Sequence, residues 1–344
     1  SRIWWGKKSY KINKNIKEKQ IMPIVGYGDF KYERDESWPI IPEGWTLGNG
    51  WSGPPELGIP ITSGKGVSDV AVDSNDRVYV FNRDAHPVVV FEADTGKFVT
   101  SWGEYEFKET HGIFVDSDDN VWTTDRQEHV VVKHTKHGEK LLELGVRSWA
   151  SASVTPYGTH PEHNFLGGPF NMPGGVTIAS TGAIFVGDGY GNRQVHRFSP
   201  KGEFELSWGI SGTGEGEFSL VHNLDIDSKD RVYVCDRQNC RVQIFDYDGN
   251  YIDSWTDVLN PGGVYCDRNN LVYVAEQGVP TGIQPNGVSI FTEKGELVSR
   301  FRGRENGLVQ PHGISTDSRG NLYLAELESL DIGKDHRISK WNKI

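Results

Sequence analysis

The sequence predicts an all-β protein, a six-bladed β-propeller whose ring is closed by an N-terminal strand. Three observations carry that expectation. A strand–turn–strand unit recurs six times, its turn returning every 40 to 63 residues. The composition, with 41 glycines, 16 prolines and a mean hydropathy of −0.52, suits many short strands and tight turns better than long helices. The last copy lacks an outer strand, and a strand-like stretch near the start of the chain is free to supply one.

In chain order, residues 1–20 form a basic N-terminal arm, SRIWWGKKSYKINKNIKEKQ, read as solvated. Residues 21–344 are expected to form a single propeller domain. Within them IVGYGDFKYE reads as a strand, expected to pair near residues 337–341. The repeats follow from Ser68: VAVDSNDRVYVFN, IFVDSDDNVWTTD, VTIASTGAIFVGD, LDIDSKDRVYVCD, VYCDRNNLVYVAE and ISTDSRGNLYLAE. Alternating apolar positions such as Val78 and Val80, or Leu322 and Leu324, mark the second strand of a copy. The turns SNDR, SDDN, SKDR and SRGN supply the Asp, Asn and Gly that tight turns require. Third and fourth strands are legible in PVVVFEADTGKFVTSWG, QVHRFSPKGEFELSWG and GVSIFTEKGELVSRFRG, whereas the sixth copy stops at HRISKWNKI. Four-stranded blades set around a channel satisfy this pattern.

Charge and cysteine content narrow the function classes. With 36 basic against 47 acidic residues the net charge is −11, which argues against nucleic acid as a partner. No run of about eighteen apolar residues occurs and no signal-peptide core is present, so no membrane partner and a soluble protein are expected. Cys235, Cys240 and Cys266 are too few for a disulfide framework and favour a reducing compartment such as the cytoplasm.

Aligning the copies on their turn places Ser68, His111, Gly174, His222, Gly262 and His312 in one position. Histidine thus occupies alternate blades, and small residues occupy the others. In a six-fold ring, alternate positions converge on the axis. Three neutral imidazoles suit Zn²⁺, with Fe, Mn or Co as alternatives, and three protein ligands leave a coordination position open for chemistry. The inner strand starts at one face and the second strand returns to it, so Arg83, Arg126, Tyr190 and Arg237 share that face with the histidines. Insertions at residues 146–170, 276–287 and 327–335 are expected there too, gathering long loops over a binding site. Asn82, Asp125, Asp188, Asp236, Glu276 and Glu326 recur at one position in all six copies, which marks them as blade-building acceptors for turn amides.

The motifs FNRDAHPVVVF, ETHGIFVDSDDNVWTTD, DGYGNRQVHRFSPKG, CDRQNCRVQIFD and QPHGISTD resemble the peptidyl-α-hydroxyglycine α-amidating lyase branch of the NHL-repeat propellers, over most of residues 66–344. The resemblance implies a metal-dependent lyase that splits an α-hydroxyamide, in a small-molecule or peptide-like substrate, into an amide and glyoxylate or a related aldehyde. It implies Tyr190 as the base and Arg83 and Arg237 as the arginines beside a metal on His111, His222 and His312. A phenol held near a metal and a cation can act as a base, and an arginine can hold a carboxylate. Arg126 shares the register but is not selected by the resemblance. Gly191 and Gly313 stand where secreted animal members carry a disulfide cysteine and a calcium-binding acid, so neither the disulfides nor the structural Ca²⁺ carries over. No oxidative hydroxylating domain lies within these 344 residues, so the expected substrate is not confined to peptides. On the residues alone two other readings stay open: a hydrolase or lactonase using the same His₃ site, and a non-catalytic scaffold binding a protein on its loop face.

Overall fold

Period-two alternation makes each repeat a set of short strands, and the computed structural model, which describes residues 23–50, 65–151, 170–278, 285–327 and 337–344, arranges them as six blades. The first blade is typical: Val67–Val72, Arg77–Asn82, Val88–Glu92 and Phe98–Trp102 form an antiparallel meander from axis to rim. The inner strands of the next five are Thr110–Val115, Gly175–Ile178, Val221–Ile226, Pro261–Cys266 and Pro311–Thr316. A two-residue parallel pair, Ile210–Ser211 with Glu217–Phe218, decorates the passage from the third blade to the fourth. No helix among the described residues is long and apolar enough to cross a membrane.

Each blade buries both faces against its neighbours, so the core is divided into six clusters, one per gap. Between blades 4 and 5, Tyr233, Val242 and Ile244 meet Val264, Val272 and Val274. The gap between blades 6 and 1 is enlarged by Trp38 and Leu47, with the Trp38 indole N–H donating to the Glu92 carbonyl at 3.1 Å. Burying a Val, Leu or Phe side chain contributes about 1.5–3 kcal/mol, so packing between blades supplies most of the cohesion.

Ring closure matches the expectation, with one correction. Phe30–Arg34 pairs antiparallel with the third strand of the last blade, Ile338–Lys343, in the register Tyr32 to Lys343 and Arg34 to Trp341. The stretch read as one strand is a hairpin, because Val25–Tyr27 folds back on Phe30–Arg34 through Gly28 at φ +61°. The added strand leans on blade 5, where Ser299 Oγ accepts from Tyr27 N and donates to Phe30 O, both at 3.0 Å. The basic arm falls outside the described residues.

The turn aspartates do two things. Asp73, Asp116, Asp227, Asp267 and Asp317 each accept from the backbone N–H groups two and four residues on, closing the turn. At the left-handed position of the same turns, Asp76, Asp119, Asp230 and Asn270 reach a serine of the preceding blade: Ser318, Ser74, Ser180 and Ser228. One short residue therefore satisfies a positive φ and ties two blades together.

Candidate metal centre

The site begins with a defect in the sheets. In five of the six blades the pairing of inner and second strands slips where His111, His222, His312, Ser68 and Gly262 lie. A bulge of this kind turns a side chain out of the alternating pattern, here toward the axis. The three histidines are buried, with ring centroids 4.6 to 5.0 Å apart and ligating nitrogens within 4.8 Å of one another.

Each imidazole is oriented by the small residue of the next blade. His111 Nδ1 lies 2.7 Å from the Gly174 carbonyl oxygen, His222 Nδ1 2.5 Å from that of Gly262, and His312 Nδ1 2.5 Å from that of Ser68. A carbonyl only accepts, so Nδ1 carries the proton in all three rings and Nε2 presents its lone pair. Small residues are needed because the backbones approach closely: a Cβ on Gly174 would collide with the His222 carbonyl oxygen. Burial, helped by neighbouring positive groups, pushes the three imidazoles well below their ordinary pKa, so they are neutral at pH 7. Neutral imidazoles with converging Nε2 atoms fit a divalent transition metal. His222 Nε2 is buried without a partner, as a ligand atom would be.

The acids at the ends of the second strands hold the mouth in shape. Asp125 accepts from Lys108 N and Glu109 N, Asp236 from Ser219 N and Leu220 N, Asp188 from Asn171 N, Glu276 from Leu259 N and Glu326 from Val309 N. Asn82 does the same for Gly48 N.

The residues that follow these acids gather around the triad. Tyr190 Oη lies 2.9 Å from His111 Nε2, and because that nitrogen is the acceptor, the phenol donates. Arg126 lies over the Tyr190 ring at 4.3 Å and Arg237 at 5.7 Å. Arg83 is buried, its Nε and one Nη donating to the carbonyls of Thr110 and Lys65 at 3.3 and 3.2 Å. Burial lowers its pKa from the usual arginine range, although Glu109 opposes the shift. Arg237 meets an amide rather than a blade acid: its Nη1 donates to Gln277 Oε1 at 3.3 Å. Tyr190, Arg83 and Arg237 thus lie around the same three histidines.

Two residues there escaped the sequence reading. Glu109, 2% exposed, grips Arg126 in bidentate fashion, with Nε at 2.8 Å, and lies 4.0 Å from Arg83. It is the acidic residue of the position two before the axial one, where other copies have Gly66, Met172, Leu220, Asn260 and Gln310. Gln277 occupies the register of Arg83, Arg126 and Arg237, which was signal enough to find it. Of the expected loops over the site, residues 152–169, 279–284 and 328–336 lie outside the described residues. The three cysteines form no disulfide; Cys235 and Cys266 sit in strands, with thiols pushed up by burial. Beside His312, Gly313 faces the Asp69 carboxylate of blade 1, whose oxygens accept from Val70 N, Ile113 N and the Asn223 amide.

Comparison with known proteins agrees with this architecture. A family model described as a 6-bladed beta-propeller matches residues 170–303. Human NHL repeat-containing protein 3 is 30% identical, over 77% of this chain and 78% of its own length. Peptidyl-alpha-hydroxyglycine alpha-amidating lyase 1 of Drosophila melanogaster is 28% identical, over 72% of this chain and 48% of its own. Rat peptidylglycine alpha-amidating monooxygenase is 27% identical over 89% of this chain, which spans only 32% of that protein. Among solved structures a streptogramin B lyase shares the fold, with a TM-score of 0.54 and 14% identity over 80% of this chain and 93% of that one.

Proposed function

The chain belongs to the NHL-repeat family of six-bladed propellers, and from that premise we propose that it is a metal-dependent lyase acting on an α-hydroxyamide. The observation that carries this reading is the convergence of three Nε2 lone pairs with the Tyr190 hydroxyl 2.9 Å from one of them. Relatives named as α-hydroxyglycine lyases support the same chemistry.

A divalent ion, most suitably zinc, held by His111, His222 and His312, would supply Lewis acidity toward a substrate oxygen. With His111 Nε2 given over to the ion, Tyr190 would no longer donate there and would act as the phenolate. It takes the proton of the substrate α-hydroxyl and returns it to the leaving nitrogen. The freed electron pair forms the carbonyl as the C–N bond breaks, and the departing nitrogen takes up a proton. An N-acyl α-hydroxyglycine thereby becomes a primary amide and glyoxylate, with nothing oxidised and no water consumed. Arg83 holds the substrate carboxylate, its plane fixed by the two carbonyls behind it. Arg237, close to the Tyr190 ring, stabilises negative charge as the proton leaves.

The test joins metal analysis to product analysis. Purified or reloaded protein should hold about one transition metal per chain and convert N-acetyl-α-hydroxyglycine into equal amounts of acetamide and glyoxylate. Acetate in place of acetamide would point to a hydrolase on the same site. Protein that neither holds a metal nor turns the compound over would leave the scaffold reading standing.

A further inference from the structure

Among the described residues, a buried side-chain donor next to the triad, Gln277 Nε2, has no acceptor. Gln277 follows Glu276 at the end of the second strand of blade 5, between the blades of His222 and His312. Its Oε1 accepts from Arg237 Nη1 at 3.3 Å. A guanidinium only donates, so this contact settles which way the carboxamide is turned. Gln277 Nε2 therefore points away from Arg237, and it is buried without a hydrogen-bond partner among the described residues.

The backbone shows where that group lies. A Cβ added to Gly262 would sit 3.0 Å from Gln277 Cγ, 3.1 Å from its Nε2 and 3.1 Å from the His312 carbonyl oxygen. The amide thus covers the axial position that holds histidine in the neighbouring blades, and Gly262 is the residue whose carbonyl orients His222. Leaving a buried amide N–H unpaired forfeits the hydrogen bond it made to water before folding. Beside a binding site, a ligand can supply the acceptor that such a group lacks.

We propose that Gln277 is a substrate-binding residue whose Nε2 donates to the acyl carbonyl oxygen of the substrate, selecting N-acyl α-hydroxy acids over simple 2-hydroxy acids. This rests on the lyase reading, which assigns the substrate hydroxyl to Tyr190 and the carboxylate to Arg83; the acyl oxygen is the strong acceptor left over. The surroundings agree. Arg83, Arg126, Tyr190 and Arg237 present donors, and Glu109, the carboxylate among them, is already gripped by Arg126. The complementary ligand carries acceptors on several sides.

The experiment is calorimetric titration of the metal-loaded protein with two unreactive ligands. N-acetylglycine has the carboxylate and acyl oxygen without the hydroxyl, and pentanoate has similar length without the acyl oxygen. The wild type should bind N-acetylglycine about tenfold more tightly, and Gln277→Met should abolish that preference while pentanoate affinity holds. An undiminished preference in the variant, or an equal loss for both ligands, overturns the assignment. Should Gln277→Met fail to fold, a crystal structure of wild type with N-acetylglycine decides: the acyl oxygen within about 3.2 Å of Gln277 Nε2 supports the proposal, and its placement elsewhere refutes it. Turnover of N-acetyl-α-hydroxyglycine in the same preparation separates the two readings. Selective loss without wild-type turnover sinks the lyase and keeps the Gln277 contact; turnover with unselective loss does the reverse.

Discussion

The two ends of the six inner strands are built on opposite principles. At the turn end the repeats agree: five of six carry an aspartate that closes the turn, and four turns reach back to a serine of the preceding blade. At the mouth the repeats disagree, with His, Gly or Ser at the axis and Arg, Gly, Gln or Leu after the second strand. The difference teaches where to look for chemistry. A residue present in every blade solves a problem every blade has, such as an unpaired turn amide. A residue present in alternate blades solves a problem of the ring as a whole.

This contrast makes the mouth costly to function and the turns costly to stability. The largest effect is expected from His222→Ala, which removes one of the three nitrogens proposed to hold the metal. Metal content should collapse and activity fall by more than about a thousandfold, while circular dichroism and melting stay near wild type. Unfolding of that variant would mean that the triad is a structural element like the turns.

Tyr190→Phe comes next. Loss of a general base typically lowers kcat by about 10²–10⁴, and metal content should survive or rise, since the variant no longer occupies His111 Nε2. Steady-state kinetics with metal analysis checks both halves. Near-normal kcat with metal bound would move the base to another group.

Gly174→Ala tests why alternate blades are small. Its Cβ would meet the His222 carbonyl oxygen, so backbone shifts at the axis should cost about 3 kcal/mol and weaken metal binding together. Denaturant titration and metal analysis should therefore move as one.

The turn end supplies the smallest effects. Asp227→Ala strands two backbone N–H groups, Arg231 and the Tyr233 hydroxyl, costing about 2–3 kcal/mol with kcat unchanged. Asp119→Ala removes an exposed tie to Ser74 and should cost about 1 kcal/mol or less. A drop in kcat for either variant in folded, metal-loaded protein would break the division of labour between the two ends.

Much of this was legible in the chain alone, for a definite reason. Strand alternation, turn chemistry and repeat length are short-range properties, so six blades and the alternate-blade histidines follow from spacing. The missing outer strand of the last copy, seen beside a spare strand near the start, was enough to expect a ring closed by its two ends. Tertiary structure decided the rest. It turned one expected strand into a hairpin through Gly28 and brought Tyr190 onto His111 across 79 residues. It placed Glu109 between two arginines of different blades and laid Gln277 over Gly262. The contacts of Tyr190 with His111 and of Glu109 with Arg83 join side chains from separate repeats, each repeat locally regular. No local pattern encodes which donor meets which acceptor once the ring has closed, because that depends on the bulges that aim the side chains and on the small residues that let the backbones approach.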